Sequence, residues 1–249
     1  MRFSVTLGAV GERTPGVLGR LAALAEESGW DAVFLEDYLD YQGTGAPTWD
    51  AWVCLSAIAC ATSRIVLGPT VTPVPRRRPW ELAAQAAAVD QLSGGRLVLG
   101  AGAGDRADPA LALLAAGGTG LDAGLEALDR LWAGDEVDGL RLPGRPVRRP
   151  RVPVWIGGDL RRPAVRRRLT RWDGACVHRE RPLDPDDVHD ILALVTAARG
   201  DARGFDVKVS GNPHLIAEFA AAGATWWGRW IPPGDVAEAE AVIAAGPPR

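Results

Sequence analysis

Residues 62–105 read TSRIVLGPTVTPVPRRRPWELAAQAAAVDQLSGGRLVLGAGAGD. Two apolar runs, 65–71 and 96–100, predict buried strands, and the segment 79–92 between them has the length of a helix. Both predicted strands end in loops rich in Gly, Pro and Thr. This pattern predicts a βαβ unit of a parallel α/β fold, in which ligands bind at the loops after the strands. Asp105 then lies at the mouth of such a strand.

The rest of the chain continues the alternation of strands and helices. Further strands are predicted at 3–7, 31–36, 152–156, 174–177, 207–210 and 225–230. Helices are predicted at 14–28, 49–61, 163–170, 185–199, 213–222 and 235–245, and a helical period at 108–133 is interrupted by Gly117, Gly118 and Gly120. Eight strands and a length of 249 residues predict a single (β/α)8 TIM barrel over residues 1–249.

Composition favours a small-molecule partner. The net charge of −3 and the pI near 5.7 give no general attraction to nucleic acid or to an acidic membrane. Three widely spaced cysteines, Cys54, Cys60 and Cys176, fit a reducing compartment, and their spacing predicts no metal site. The chain also lacks a long apolar run of membrane-spanning length, so we expect a cytoplasmic protein without a membrane partner.

Three stretches resemble one family: residues 62–105, GWDAVFLEDYLDYQG at 29–43 and AGATWWGRW at 222–230. They are similar to the luciferase-like class of flavin-dependent and deazaflavin (F420)-dependent oxidoreductases. The resemblance implies a TIM barrel, here with shortened insertions. It also implies F420 or, less favoured, FMN as cofactor, with hydride transfer or oxygen activation on a small organic substrate. A homodimer formed through the region of helix 79–92 is implied as well.

The same resemblance implies three catalytic residues. Asp37 corresponds to a residue at the edge of the cofactor ring, and Tyr38 to a histidine that handles protons in F420-dependent relatives. A phenol with an ordinary pKa near 10 can donate a hydrogen bond but is a poor base at neutral pH. Asp105 falls where some sugar-phosphate dehydrogenases of the family carry a glutamic acid. The alternatives are a capping carboxylate for Asp37, an aromatic lid for Tyr38 and a surface carboxylate for Asp105.

Two motifs point to the cofactor. Gly100, Gly102 and Gly104 form a GxGxG pattern that matches a dinucleotide-binding fold only weakly, but glycines let a planar ring lie close to the ends of strands. The resemblance also implies a non-prolyl cis peptide between Thr70 and Val71, behind the cofactor ring. The alternatives are a plain turn for the glycines and an ordinary bulge for the strand.

Further cofactor contacts are implied around the barrel mouth. Ala103 stands where luciferase-type relatives carry an arginine for the flavin phosphate, which favours F420 over FMN. Gly157 and Gly158 are candidates for backbone contacts with the cofactor. The run 76–78 of three arginines suits a phosphate or a polyglutamate tail, or is simply solvated.

Alternation along 225–230 sends Trp226 and Trp230 to one side of a strand and Trp227 to the other.

The sequence alone leaves two other functions open. One is a catalytically silent barrel that binds the cofactor. The other is a cofactor-free barrel enzyme, for which Lys208, the only lysine of the chain, is the single possible Schiff-base residue.

Overall fold

The computed structural model describes residues 1–105, 107–111 and 120–248. The strands in these ranges are β1 (Arg2–Gly8), β2 (Ala32–Glu36), β3 (Val66–Pro69), β4 (Thr72–Pro73), β5 (Leu99–Gly102), β6 (Val154–Asp159), β7 (Gly174–His178), β8 (Asp206–Ser210) and β9 (Trp226–Ile231). The helices are α1 (Pro15–Glu27), α2 (Ala51–Ala61), α3 (Pro79–Ser93), α4 (Leu121–Ala133), α5 (Pro163–Leu169), α6 (Pro185–Arg199), α7 (Ile216–Ala221) and α8 (Val236–Ala244).

The strands form a parallel barrel in the order β3-β2-β1-β9-β8-β7-β6-β5-β4. The predicted strand 65–71 is present as two pieces, because β3 pairs with β2 and β4 pairs with β5. The barrel closes where the amide of Val98 donates to the carbonyl of Leu67 at 2.9 Å. The predicted TIM barrel is thus confirmed, with nine strand segments at its eight strand positions.

Local chemistry explains where the observed elements depart from the predicted boundaries. Helix α1 begins as predicted, with the Thr14 side chain as its cap. Helix α2 begins later than predicted because the carboxylate of Asp50 caps it, accepting from two backbone amides. Strand β5 is displaced toward the C-terminus from the predicted 96–100, since its partner β4 follows the break in the third strand. Gly117 and Gly118 lie outside the described residues.

The barrel interior is filled by an aromatic layer. Phe34, Trp155 and Trp226 are at most 1% exposed, and their ring centroids are 5.4 to 6.2 Å apart in tilted or edge-on contacts. Trp227 instead packs in the larger apolar cluster between barrel and helices, and Trp230 is half exposed at the mouth. The predicted alternation of these tryptophans is therefore confirmed, and the layer closes the lower part of the barrel.

Charged side chains tie together the amino-terminal end of the barrel. The Glu26 carboxylate accepts from the backbone amides of Ser63, Arg64 and Ile65 at 2.6 to 3.1 Å. Burial alone would raise the pKa of Glu26, but these hydrogen bonds outweigh it and lower the pKa to about 2. Arg96 donates to the carbonyl of Ile65 at 2.7 Å. The backbone amides of residues 63–65 and the carbonyl of Ile65 are thus hydrogen-bonded to side chains.

No helix in the described ranges is long and apolar enough to span a bilayer.

Candidate active site at the mouth of the barrel

A cleft of about 710 Å³ opens at the carboxyl ends of the strands. This volume lies within the range of small-molecule sites. The structure brings to it all but one of the residues that the sequence nominates, namely Asp37, Tyr38, Thr70, Val71, Gly102, Ala103, Gly104, Asp105, Gly157 and Gly158. Gly100 is the exception, because it does not line the cleft. A Cβ at Gly100 would instead collide with the carbonyl oxygen of Pro69.

The glycines shape the cleft indirectly. The Thr70–Val71 peptide bond is cis, as the resemblance implied. A Cβ at Gly102 would lie 2.6 Å from one methyl of Val71, and a Cβ at Gly157 would collide with the other. These two glycines therefore make room for the Val71 side chain rather than directly for a ring. Gly104 has a φ of +97°, and a Cβ there would lie 2.6 Å from Leu111.

Asp37 is the centre of a buried ion-pair network. Its carboxylate is paired with Arg76, accepts from Arg77 at 2.8 Å and accepts from the hydroxyl of Thr72 at 2.7 Å. Arg76 also pairs with Asp108 at 2.8 Å. Because both oxygens of Asp37 are engaged by buried donors, the carboxylate is unsuited to proton transfer, although it borders the cleft.

The same network corrects the interpretation of the arginine run 76–78. The side chains of Arg76 and Arg77 are 4% and 10% exposed and face carboxylates of this chain, so they are not available to a phosphate or a polyglutamate tail. Only Arg78 is exposed, at 69%, and it pairs with Glu81 on its own helix. The cluster therefore holds the corner between β2 and β4 together.

Tyr38 and Asp105 are in direct contact although 67 residues separate them in the chain. The phenol of Tyr38 donates to Oδ2 of Asp105 at 2.7 Å. Burial, together with this hydrogen bond to a carboxylate, raises the pKa of Tyr38 well above its ordinary value near 10. Tyr38 is therefore a neutral hydrogen-bond donor across the physiological range and holds the Asp105 side chain in place.

Glu36 is a candidate acid that is not among the catalytic residues implied by the resemblance, although its place at the end of the second predicted strand allows it to face the barrel interior. It faces the barrel interior at the end of β2, and its Oε2 accepts from the indole of Trp230 at 3.2 Å and from the phenol of Tyr41 at 3.5 Å. Burial raises the pKa of Glu36, while these hydrogen bonds partly oppose the shift. No arginine or lysine of the described residues forms an ion pair with it. The alternation along β2, from Phe34 to Glu36, is the signal that could have found it.

The opposite wall of the cleft carries a more accessible cation. Arg162 borders the cleft with a side chain that is 74% exposed, and its only ion-pair partner in the described ranges is Asp159 at 4.0 Å. Arg168, also at the cleft, is instead held by Asp122 of α4 at 2.6 Å. Among the described residues, no group of three His, Cys, Asp or Glu side chains could hold a metal ion.

These features suit a planar cofactor that carries an anionic tail. Val71, Gly157 and Gly158 give one wall of the cleft little polar surface, the Tyr38–Asp105 pair supplies a polar edge, and Arg162 supplies a positive charge. Exposed cations of this kind favour phosphate groups. The cleft can therefore hold a flat ring against the apolar wall with a phosphate near the arginine.

Comparison with known proteins agrees with this architecture. The sequence model of the protein family described as luciferase-like monooxygenase matches residues 1–226. An F420-dependent glucose-6-phosphate dehydrogenase of Nakamurella multipartita is 32% identical over 163 residues, which cover 58% of this chain and 47% of the relative. The enzyme of the same name from Beutenbergia cavernae is 36% identical over 145 residues, covering 53% and 43%. The chain thus matches about half the length of these curated relatives.

Solved structures share the fold at low sequence identity. An F420-dependent secondary alcohol dehydrogenase in complex with an F420-acetone adduct has a TM-score of 0.74 at 15% identity, covering 98% of both chains. The coenzyme F420 dependent tetrahydromethanopterin reductase of Methanopyrus kandleri has a TM-score of 0.70 at 16% identity, again covering 98% of both.

Proposed function

The chain belongs to the luciferase-like monooxygenase family, and we propose that it is an oxidoreductase that uses F420, with FMN as the second choice, on a small organic substrate. The observation that carries the proposal is the cleft itself, with an apolar wall, a polar edge and the exposed cation of Arg162 at the mouth of the barrel. The names of the curated relatives support F420. So does Ala103, which leaves the position of the luciferase-type phosphate arginine without a charge.

In this proposal the residues of the cleft bind and orient the cofactor. Val71, with the space that Gly157 leaves for its side chain, and Gly158 would support one face of the ring, and Arg162 would hold the phosphate. When bound, F420 supplies hydride transfer to or from the substrate. The Tyr38–Asp105 hydrogen bond keeps a neutral donor and a carboxylate at one edge of the cleft, where they orient polar atoms of the ligands.

Proton handling falls to Glu36 rather than to Asp37. Glu36 is half-buried, borders the cleft and is not ion-paired within the described part of the chain. Burial raises the pKa of Glu36, which favours its acid form, and no arginine engages it, whereas both oxygens of Asp37 are engaged by buried donors. We therefore assign general acid or base catalysis to Glu36 and structural support to Asp37.

Paired titrations of the purified protein with F420 and with FMN, followed by absorbance and fluorescence, test the proposal. We expect F420 to bind at micromolar or tighter affinity and FMN about tenfold more weakly. Ala164→Trp should fill the cleft and weaken F420 binding by at least about tenfold. Ala198→Trp, on the exposed end of α6, is the matched control and should change nothing. Binding of neither cofactor would reject the proposal.

Turnover separates an enzyme from a silent cofactor-binding barrel. If F420 binds, a screen of small alcohols, aldehydes and acids for oxidation or reduction of the cofactor should find a substrate. Binding without any turnover, combined with gain of activity in Tyr38→His, would favour the silent barrel.

We also infer a homodimer through helix α3. Trp80 and Leu92 of this helix and Val53 of the adjacent α2 are 37%, 52% and 58% exposed. Exposed apolar side chains on neighbouring helices are typical of interfaces. Sedimentation at micromolar concentration should give twice the chain mass, and Leu92→Glu should give the monomer.

A further inference from the structure

A second cavity of about 340 Å³ lies inside the barrel mouth, beside the cleft. It is lined by Thr6, Glu36, Thr70, Cys176, Val177, His178, Lys208, Ser210 and Trp230. Glu36, Thr70, Cys176 and His178 line both spaces, so a molecule in this cavity adjoins a molecule in the cleft. The aromatic layer lies below it. The cavity therefore has the position of a substrate pocket next to the cofactor.

Lys208 is built into this cavity. It faces inward from β8, and its Nζ lies 5.6 Å from the ring centroid of Phe34 in the aromatic layer. The neighbouring strand provides the space, because a Cβ at Gly228 would lie 2.8 Å from Nζ. The chain uses arginine at all its other cationic side chains apart from the histidines, so this cavity holds a compact ammonium group where the rest of the chain has planar guanidinium groups.

Among the described residues no carboxylate forms an ion pair with the ammonium group of Lys208, although Glu36 of the same cavity acts on it electrostatically. Arg2, another inward-facing cation, pairs instead with Asp206 at 2.6 Å and stacks on Trp226. Burial raises the pKa of Cys176 to about 12, so this thiol is neutral and offers no negative charge. Burial also lowers the pKa of Lys208. Burying an ammonium without a partner costs free energy, which an anionic ligand would offset.

An independent observation points to a ligand in the same space. Thr6 lines the cavity and is 7% exposed, and its hydroxyl has no hydrogen-bond partner among the described residues. The hydroxyl of Thr70, on the boundary between cavity and cleft, is likewise buried and unpartnered. Buried polar groups in proteins are nearly always hydrogen-bonded, to protein, water or ligand. Two hydroxyls without a partner and a cation without an ion pair therefore border the same cavity.

We propose that this cavity binds the carboxylate of a small organic acid, with the Lys208 ammonium and the Thr6 hydroxyl as its donors. The single cation matches a singly charged carboxylate better than a doubly charged phosphate monoester, because Glu36 lines the same cavity and repels a second negative charge. That this acid is the substrate rests on the proposed function; that it binds here does not.

The single lysine gives a direct test. Protein labelled with [ε-¹³C]lysine has one Cε resonance, which reports on Lys208 alone. Titration with benzoate should shift this resonance saturably, and the uncharged benzamide should bind at least about tenfold more weakly. No shift with benzoate, or equal binding of benzamide, would overturn the proposal. Phenyl phosphate binding more tightly than benzoate would overturn the choice of a carboxylate.

Variants locate the binding site by calorimetry. Lys208→Met should weaken benzoate binding by at least about tenfold, and Thr6→Val should weaken it by a few fold. Arg20→Gln removes the same charge from the exposed face of α1 and should leave benzoate binding unchanged. Unchanged binding in Lys208→Met would reject the site.

F420 titrated into the same samples tests the proposed function separately. Lys208→Met should leave F420 affinity within about twofold of the wild type. Benzoate binding without F420 binding would reject the cofactor and keep the acid site. F420 binding without benzoate binding would reject the acid site and keep the cofactor.

Discussion

Glu36 and Asp37 are neighbours in the chain, yet they belong to two differently built sides of the barrel mouth. Asp37 lies in what we call the paired corner, formed by Asp37, Thr72, Arg76, Arg77 and Asp108, where every carboxylate meets a buried arginine. Glu36 lies on the open side, formed by Thr6, Glu36, Cys176, Lys208 and Trp230, where charged groups and hydroxyls face a cavity. The difference shows that the role of an acidic residue depends on its partners rather than on its place in a motif.

The two sides also differ in what they contribute to stability. Removing one partner from a buried ion pair leaves an uncompensated charge, which is costly. An unpaired charge facing a cavity already lowers stability, and removing it relieves that cost, as is common at functional sites. The paired corner should therefore be sensitive in stability measurements, and the open side in measurements of binding and turnover.

The largest effect is expected at the paired corner. Asp37→Ala leaves the guanidinium groups of Arg76 and Arg77 buried without their shared carboxylate, so the free energy of unfolding should fall by about 3 to 5 kcal/mol. Urea denaturation followed by tryptophan fluorescence measures it. Lys208→Met, on the open side, is the matched variant and should not destabilise the protein. An equal loss of unfolding free energy in Asp37→Ala and Lys208→Met would contradict the proposed difference between the two sides.

The next effect is expected from Glu36→Gln, in turnover. The variant keeps the shape and hydrogen-bonding capacity of the side chain but cannot exchange a proton, so kcat should fall about a hundredfold, or about 2.7 kcal/mol of activation free energy.

The direction of the pKa shift of Glu36 predicts how the reaction rate and the stability depend on pH. Because burial raises the folded-state pKa of Glu36, its ionisation is deferred to higher pH. If it acts as an acid, the wild-type rate should fall as pH rises through that pKa, and the fall should be absent from Glu36→Gln. Stability should likewise fall in the wild type above its unfolded pKa of 4.5, a loss that Glu36→Gln avoids. Identical pH profiles would return Glu36 to a structural role.

A smaller effect is expected at the opposite end of the barrel, where Glu26 is fully partnered. Glu26→Gln should lower the free energy of unfolding at pH 7 by about 1 to 2 kcal/mol, because an amide oxygen accepts more weakly than a carboxylate. The folded-state pKa is depressed from 4.5 to about 2, so this stabilisation is present above pH 4.5 and is lost as pH falls through about 2. The difference in free energy of unfolding between the wild type and Glu26→Gln should therefore be present in denaturation curves at pH 7 and should shrink at pH 2.5. A difference independent of pH would reject this account.

The smallest effect is expected from Tyr38→Phe. The variant loses the hydrogen bond to Asp105 but no proton-transfer group, since the phenol stays protonated, and kcat should fall by less than about tenfold. Asp105→Asn, at the other end of the same hydrogen bond, should have a similar effect. A loss as large as that of Glu36→Gln would make Tyr38 a participant in proton transfer.

Much of the fold could be predicted from the sequence because it depends on local patterns. The apolar runs, the N-terminal cap of α1 and the alternation along 225–230 are properties of neighbouring residues, and the structure has its strands and helix start close to them. The boundary of β5 could not be predicted, because it is set by pairing with β4 after the break in the third strand. The resemblance to a family supplied the position of the cis bond and most of the residues of the cleft.

The roles within the site were harder to predict. The Asp37–Arg76 pair spans 39 residues and joins the loop after β2 to the segment after β4, which only the folded barrel brings together. The purpose of Gly102 and Gly157, to admit the Val71 side chain, depends on contacts between strands that no spacing reveals. Glu36 was within reach of the alternation along β2, but a motif-based comparison draws attention to the residues beside it.

The aromatic layer of Phe34, Trp155 and Trp226 blocks the barrel interior below the inner cavity. In the described part of the chain, a solute that reaches Lys208 from that direction would have to displace three packed rings. Entry therefore runs from the mouth of the barrel, where Trp230 and Ser210 border the inner cavity and the cleft adjoins it. Because the Trp230 indole borders this cavity, we expect a smaller residue at position 230 to widen the range of molecules that are accepted.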